Sequence, residues 1–500
     1  MEPRAAHALE ADVAFDGGDL DCGNGLLLLI RKHIDPLPPG GLLEIRSTET
    51  SVDEELPAWC RMTRNELVSW TKQGKQRSFL VSKGPLAARG AEAPVVSRAP
   101  AARTDPAPRP RPEARPAPAI PALAVTGMGS WPRPRWMIDA MHAHVQGRLD
   151  EASFQETADD AVRLIAAAQQ RAGAALYTDG EQRRDSYASF VATRLDNCQL
   201  VPLIDLLPLV EDPAEFEAEL RALDVPAGEV RHPGVFGPIR RTRPLAVHEF
   251  DFLRTLTAAP IKVALPGPYL LTRTMWMDCI ADHVYANREQ IAADIVRVLR
   301  EEAADLIRAG ASLVQFDEPV LSEVVFSGPK NKRSFMCGAL SESEGPEHEL
   351  AFARDLVNAV VDGLPRERIA LHVCRGNWTP DESVALAGSY APLVPTLAAM
   401  RVGAYLLEAC TPRAGDMALL QQLPADARIG VGVVNQKSPA IESVDEVAAR
   451  IERAADLFGT ERLLLHPDCG FATFADNPIT SMRVAEGKLA AIVAAAQRFA

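Results

Sequence analysis

The sequence lacks the features that mark membrane proteins and disulfide-rich proteins. No apolar run reaches the roughly 20 residues that span a bilayer, and the N-terminus has no basic segment followed by an apolar core. Eight cysteines in 500 residues are too sparse for a disulfide framework. We therefore expect a cytoplasmic protein without membrane contacts, whose cysteines are buried thiols, metal ligands or nucleophiles.

The chain also lacks an excess of basic charge. Its formal net charge is −14, whereas a surface that binds nucleic acid or an anionic membrane needs clustered lysine and arginine. The hydrophobic content of 47% is sufficient for a large core, and the length predicts more than one domain. These properties exclude nucleic acid as a main partner and favour an enzyme that acts on small molecules.

Residues 16–84 have the pattern of a small two-layer α/β domain. Apolar runs predict helices at residues 26–34 and 56–70, and strands at residues 42–46 and 78–82.

Cys22 stands directly before the first of these helices, and the segment continues through Pro39-Gly-Gly41 and Trp59-Cys60 into a closing strand. In these features the segment resembles the TusA/SirA-type sulfur carriers. The resemblance implies that Cys22 carries a persulfide, because a following helix N-terminus favours its thiolate. The family's Cys-Pro-x-Pro motif reads Cys22-Gly-Asn-Gly25 here, so an ordinary structural role for Cys22 is the alternative.

Residues 85–120 change in composition to proline, alanine and arginine. A segment of this kind has little to bury, so it should be a semi-extended linker between two domains.

Residues 121–500 alternate short apolar runs with amphipathic segments, which is typical of parallel strands connected by helices. Residues 288–309 have a helical apolar face that stops at Gly310, and Ser443 with Glu446 forms a capping box. The pattern predicts a (β/α)8 TIM barrel with an insertion at about residues 186–260. The eight strands are predicted at residues 123–126, 174–178, 261–265, 313–316, 369–373, 404–407, 429–434 and 463–465.

Polar residues follow these strands at the end where barrel enzymes hold their active sites. His372 and Cys374 are two residues apart in an extended segment, so both side chains face one side and can bind one zinc ion. Glu408 and Cys469 follow two further strands and complete a four-ligand set, with Cys410 as a rival to Cys469. Glu181 and Asp317 are carboxylates that follow the second and fourth predicted strands.

Five further motifs accompany the predicted metal residues: Gly129-Ser130, Asp179-Gly-Glu181, Phe316-Asp-Glu-Pro319, Lys437-Ser-Pro439 and His466-Pro-Asp-Cys-Gly470. With them, residues 121–500 resemble the catalytic C-terminal barrel of cobalamin-independent methionine synthase and its single-barrel relatives. The resemblance implies zinc on the four residues above and a homocysteine whose amino-acid end contacts Ser130, Glu181 and Asp317. It also implies that Glu323 lies near the metal and the methyl donor.

The sequence departs from that family where the methyl donor is expected. Lys437 replaces the family's histidine after strand seven, and a sulfur-carrier-like domain stands in place of the family's N-terminal barrel. Trp276 can stack on a flat donor, although a core role is equally compatible with the sequence. The donor is therefore either a methyltetrahydrofolate or a methyl-corrinoid protein.

The sequence thus predicts a zinc-dependent methyltransferase that converts homocysteine, or a related thiol, to methionine. Two alternatives remain open. One is a sulfur-relay protein in which Cys22 carries sulfur to an acceptor at the barrel, and the other is a barrel related to uroporphyrinogen decarboxylase without a metal.

Overall fold

A computed structural model describes residues 3–4, 6–20, 26–89, 116–145, 147–202, 231–235, 237–276, 285–326, 333–334, 338–342 and 345–499. Cys22 and most of the predicted linker lie outside these residues. The chain divides into a first compact unit, Met1–Arg111 with Val201–Glu217, and a second, Pro112–Leu200 with Ala218–Ala500. No helix within the described ranges is both long enough and apolar enough to cross a membrane.

The first unit contains a mixed four-stranded sheet and two helices. The strand order is β1-β2-β4-β3; β1 pairs with β2 in parallel, and the other two pairs are antiparallel. Apolar side chains from both layers, including Ile30, Ile45, Trp59 and Phe79, form its core. The elements are β1 (Val13–Asp16), α1 (Leu27–Ile34), β2 (Leu42–Ser47), α2 (Val52–Thr63), β3 (Glu66–Gln73) and β4 (Gln76–Ser82).

The predicted second helix, residues 56–70, is wrong in its second half. Helix α2 ends before Arg64, which has a left-handed φ of 59°, and the chain then enters β3. Trp70 belongs to this strand and stacks on Phe79 of β4 with ring centroids 5.5 Å apart. Cross-strand packing of the aromatic rings therefore decides the conformation of a segment whose apolar spacing also fits a helix.

The second unit is built around a parallel sheet of seven strands in the order β5-β15-β14-β13-β12-β9-β8. Isolated parallel bridges connect Thr126 to Leu176 and Tyr177 to Ile261, so residues 176–177 join the two edge strands. The mixed α/β fold and its helical connections fit a TIM-like barrel. The unit's strands are β5 (Ala124–Val125), β6 (Cys198–Pro202), β7 (Arg231–Val235), β8 (Lys262–Pro266), β9 (Leu313–Asp317), β10 (Arg333–Ser334), β11 (Gly338–Glu342), β12 (Ile369–Val373), β13 (Ala404–Leu407), β14 (Arg428–Val434) and β15 (Leu463–Pro467).

The helices of this unit follow the predicted alternation with the strands. The helix at residues 288–309 is confirmed; it is capped by Asn287 and ends at Gly310, whose φ is 105°. The capping box of Ser443 and Glu446 is also present. The helices are α3 (Arg135–Val145), α4 (Glu151–Ala172), α5 (Val247–Leu256), α6 (Pro268–Met275), α7 (Arg288–Ala309), α8 (Val320–Phe326), α9 (Pro346–Val361), α10 (Val394–Ala398), α11 (Val444–Phe458) and α12 (Met482–Ala496).

Seven of the eight predicted barrel strands are present, each within two residues of its predicted ends. The second, residues 174–178, contributes only the two isolated bridges. The predicted insertion contains the pair of β6 and β7 and helix α5, and its residues 203–230 lie outside the described part of the chain. The ring of strands brings the residues that follow them to one rim, where the candidate site lies.

Candidate active site

A pocket of roughly 450 Å³, measured to its open mouth, lies at the carboxyl ends of the barrel strands. Its lining combines thiol, imidazole, carboxylate and aromatic groups from several strand ends. The predicted site residues among them are Ser130, Glu181, Asp317, His372, Cys374 and Cys469. Six of the predicted positions, separated by up to 339 residues in sequence, thus share one cavity.

His372, Cys374 and Cys469 form a compact group of potential metal ligands. One ligand atom from each lies within 4.8 Å of the other two, and all three residues are buried. His372 Nε2 is 3.7 Å from Cys469 Sγ. Two thiols and an imidazole at this separation are the donor types that zinc prefers.

The hydrogen bond on the other side of the His372 ring fixes its tautomer. His372 Nδ1 is 3.0 Å from the carbonyl oxygen of Leu406, and a carbonyl can only accept, so Nδ1 carries the proton. Burial lowers the pKa of His372 to about 3, which keeps the ring neutral. The lone pair of Nε2 therefore faces the two cysteines, as a metal-binding histidine requires.

The pKa of the Cys469 thiol is raised, whereas a reactive free cysteine has a lowered pKa. A hydrogen bond with Cys374 is the largest cause that raises the pKa of Cys469, followed by burial and the neighbouring Cys374 charge. Two adjacent thiols in an apolar surrounding resist ionisation unless a cation compensates their charge. The donor set is thus suited to a bound cation.

Glu408 lies outside this compact group, although it is fully buried. Its Oε1 accepts a hydrogen bond from the Arg375 backbone N–H at 3.0 Å, and its Oε2 accepts one from Arg413 at 3.4 Å. Cys410, the rival ligand, is also outside the group, and its backbone N–H donates to Asp468. The fourth ligand therefore stays a prediction.

Glu181 is held in an unusual backbone conformation at the pocket wall. Its φ is 55°, in the left-handed region, and its N–H donates to Asp179 Oδ1 at 3.0 Å. The guanidinium of Arg133 donates to the Glu181 carbonyl oxygen at 2.7 Å. Its buried carboxylate atom Oε2 has no hydrogen-bond partner among the described residues. An orphaned carboxylate oxygen that lines a pocket indicates a site for a donor on a ligand.

Two polar residues were not predicted from the sequence: Gln315, which lines the pocket, and Lys262, a buried residue that contacts Gln315. Lys262 Nζ donates to Gln315 Oε1 at 2.6 Å, and Gln315 Nε2 donates to Asp317 Oδ1 at 2.6 Å. Burial, followed by the charge of Glu181, raises the pKa of Asp317, while burial lowers the pKa of Lys262. A lysine and a glutamine inside otherwise apolar strands were the signal that could have identified them.

Glu323 and Lys437 are not among the residues that line this pocket. Glu323 is buried in α8, and Lys437 donates to the carbonyl oxygen of Thr379; burial lowers the pKa of Lys437. Trp378 is an aromatic residue in the lining of the pocket, and its ring stacks on Phe474 with centroids 5.8 Å apart.

Trp276 is the half-buried residue that follows α6, and Cys22 lies outside the described residues.

A second pocket, of roughly 290 Å³, adjoins the first. The two share Tyr187 and Trp378 in their walls. Arg231, His232 and Phe474 also line the second pocket. Burial lowers the pKa of His232 to about 4, so this pocket combines aromatic side chains with the cationic Arg231.

Comparisons with known proteins agree with this geometry. A family model described as the catalytic domain of cobalamin-independent synthase matches residues 221–497. The chain is 26% identical over 352 residues to a methionine synthase from Sulfurisphaera tokodaii, which covers 70% of this chain and 86% of that protein. It is 24% identical over 375 residues to a methionine synthase from Saccharolobus solfataricus, with 75% of this chain and 94% of that protein covered.

Solved structures show the same fold. The structure of a B12-independent methionine synthase from Shewanella sp., in complex with selenomethionine, has a TM-score of 0.57 and 24% sequence identity. The match covers 76% of this chain and 98% of that chain.

Proposed function

Since the chain belongs to the family of cobalamin-independent synthase catalytic domains, we propose that it is a methyltransferase that forms methionine by methylating the sulfur of homocysteine. The observation that carries the proposal is the shared pocket. Two thiols and a neutral imidazole line it together with the carboxylates of Glu181 and Asp317. A thiol amino acid needs both kinds of group, one for its sulfur and one for its ammonium.

We propose zinc as the metal, held by His372, Cys374 and Cys469, with Glu408 as the predicted fourth ligand. The neutral tautomer of His372 and the two neighbouring thiols fit this ion. When bound, zinc would supply the positive charge that favours a thiolate over a thiol near neutral pH. A barrel related to uroporphyrinogen decarboxylase has no need for this donor set, which disfavours that alternative.

We assign the amino-acid end of the substrate to the polar residues Glu181, Asp317 and Ser130 of the same pocket. The partnerless Oε2 of Glu181 and the carboxylate of Asp317 are suited to accept hydrogen bonds from an ammonium group. Ser130 lies close enough to Gly470 that a Cβ added at Gly470 would be 2.3 Å from its hydroxyl oxygen. We propose that Ser130 contacts the substrate carboxylate from this position.

The adjoining second pocket is the proposed approach for the methyl donor. Its aromatic wall at Trp378 and its basic Arg231 suit a flat ring with acidic substituents, which favours a folate. A methyl-corrinoid protein that docks at the barrel mouth is the alternative donor. Glu323 and Lys437 are proposed to act near the transferred methyl group.

The test is an activity assay on the zinc-loaded full chain with homocysteine and either methyltetrahydrofolate polyglutamate or methylcobalamin. We expect methionine with at least one donor, and loss of the product after removal of zinc by a chelator. As a control, added zinc should restore methionine formation after chelation, whereas added magnesium should not. Absence of methionine with both donors, from a protein that holds stoichiometric zinc, would overturn the proposal.

We further propose that the first unit is a sulfur-carrier-like domain that uses Cys22. The support is the position of Cys22 before α1 in the sequence and a fold with two helices and a four-stranded sheet. Mass spectrometry after incubation with a small-molecule persulfide, which transfers its outer sulfur to Cys22 and leaves as a thiol, should find a persulfide on Cys22 that is lost in Cys22→Ala. A persulfide on Cys22 together with no methionine from any donor would instead favour a sulfur-relay protein.

A further inference from the structure

A series of hydrogen bonds leads from the buried Lys262 through Gln315 to Asp317, and the last two of these residues line the first pocket. Lys262 is the first residue of β8, and Gln315 lies in the middle of β9; each is 1% exposed. The register of the two parallel strands aligns Lys262 with Leu313, and it aligns Ala264 with Gln315. Lys262 therefore lies two residues closer than Gln315 to the N-terminal ends of the strands, and its long side chain extends along them to Gln315.

The donors and acceptors in this series of hydrogen bonds determine the orientation of the Gln315 amide. Lys262 Nζ donates to the Met128 carbonyl oxygen at 2.7 Å and to Gln315 Oε1 at 2.6 Å. An ammonium group has no acceptor, so its bond fixes Oε1 as the amide atom that faces the lysine. The amide nitrogen Nε2 is then directed at Asp317 Oδ1, to which it donates at 2.6 Å.

We propose that Lys262 is a positioning residue for recognition of the substrate's amino group, acting on Asp317 through Gln315. The bond to Oδ1 fixes the rotation of the Asp317 carboxylate and leaves its other oxygen for the ammonium group of the ligand. This inference rests on the proposed function, in which Glu181 and Asp317 receive the ammonium group of homocysteine.

Lys262 also balances charge in the pocket. Glu181 and Asp317 are two buried carboxylates that disfavour each other's ionised forms. Arg184 lies 4.0 Å from Glu181, but its guanidinium is bound to Glu249. The charge of Lys262 opposes the rise that burial causes in the pKa of Asp317, and Arg184 and Arg133 do the same for Glu181. These charges favour the carboxylate forms that attract a cationic group.

A purely structural role for Lys262 makes a different prediction. Its bond to Met128 ties the end of the first barrel strand to β8, so its loss could lower stability without any effect on substrate choice. A structural effect changes the affinity for all thiol ligands alike. A positioning role changes the affinity only for a ligand that has the amino group.

The experiment compares homocysteine with 4-mercaptobutanoate, which is the same molecule without the amino group. Dissociation constants are measured by calorimetry on the zinc-loaded full chain, for wild type, Lys262→Met and Gln315→Met. We expect each variant to lose about 10- to 100-fold in affinity for homocysteine, since a hydrogen bond to a charged group is at stake. The affinity for 4-mercaptobutanoate should change by less than about threefold.

Lys488→Met is the matched control. Lys488 is also a fully buried lysine that donates to a carboxylate, Glu442, but it belongs to α12. This variant loses a buried ion pair and should keep the wild-type preference for homocysteine.

The outcomes separate this inference from the proposed function. A wild type that binds homocysteine no better than 4-mercaptobutanoate overturns the assignment of the ammonium site itself. A selective wild type whose preference survives in both Lys262→Met and Gln315→Met overturns the positioning role. If Lys262→Met does not fold, Gln315→Met decides alone, because it leaves the bond from Lys262 to Met128 intact.

Discussion

Gly129 is a position where one added methyl group would act directly on the substrate pocket. A Cβ built there would lie 2.2 Å from Glu181 Oε1 and 3.3 Å from the carboxyl carbon. The φ of Gly129 is outside the left-handed region, so alanine can adopt this backbone without strain. Any effect of Gly129→Ala must therefore come from the contact with the Glu181 carboxylate.

The size of the effect follows from how firmly Glu181 is held. An ordinary carbon–oxygen contact is about 3.3 Å, so the carboxylate has to retreat by about 1 Å. The backbone cannot follow easily, because Asp179 and Arg133 both bind the main chain of Glu181. Loss of one charge-assisted hydrogen bond to the ammonium group costs about 1.5–3 kcal/mol, which corresponds to about 10- to 100-fold in affinity.

The assay is steady-state methyl transfer with varied homocysteine. Gly129→Ala should raise KM for homocysteine by that factor, with little change in kcat or zinc content. Gly127→Ala is the control on the same loop, because its added Cβ would meet Trp131 Nε1 at 3.0 Å and no carboxylate of the pocket. A KM for Gly129→Ala equal to that of wild type or of Gly127→Ala would refute the role of Glu181.

Three further predictions concern the proposed metal ligand Cys469, the pocket carboxylate Asp317 and the contact of Gly470 with Ser130. Cys469→Ser should lose stoichiometric zinc in elemental analysis, whereas Cys410→Ser should retain it; equal retention would remove Cys469 from the ligand set. Because the pKa of Asp317 is raised, this carboxylate is protonated in weakly acid solution, so calorimetry should find tighter homocysteine binding as pH rises from about 6 to about 8. Asp317→Asn should lack this rise, and its persistence would assign the titration elsewhere. Gly470→Ala, whose Cβ would lie 2.3 Å from Ser130 Oγ, should raise KM for homocysteine, and an unchanged KM would argue against a substrate contact at Ser130.

The fold was predictable where local signals and burial agree. The strand at residues 369–373 is a short apolar run without a competing helical period, and helix α7 has a clear cap at each end. The segment at residues 56–70 was not predictable, because apolar residues at Leu56, Trp59 and Trp70 also fit a helix. The pairing of this segment with β4, in which the ring of Phe79 stacks on Trp70, favours the strand over the helix.

The site was predictable to the extent that strand ends meet at one rim. The alternation of His372 and Cys374 and the position of Cys469 predicted three residues that the structure brings together as potential metal ligands. Lys262 and Gln315 stand out as polar residues in apolar strands, but the spacing of the sequence does not show that they contact each other and Asp317. Their importance depends on hydrogen bonds between neighbouring strands, which a single sequence does not encode in its spacing.

The register of the strands also predicts which thiol fits. His372 on β12 and Asp317 on β9 are directly paired, and the backbones of neighbouring strands lie about 4.8 Å apart. The residues proposed to bind the sulfur and the ammonium group therefore start one strand spacing apart. Homocysteine has three carbons between these two groups and cysteine has two. One methylene is worth about 10- to 200-fold in discrimination, so cysteine should be methylated that much less efficiently in kcat/KM. Equal kcat/KM values for the two thiols would mean that the sulfur and ammonium sites are not the fixed pair that this register implies.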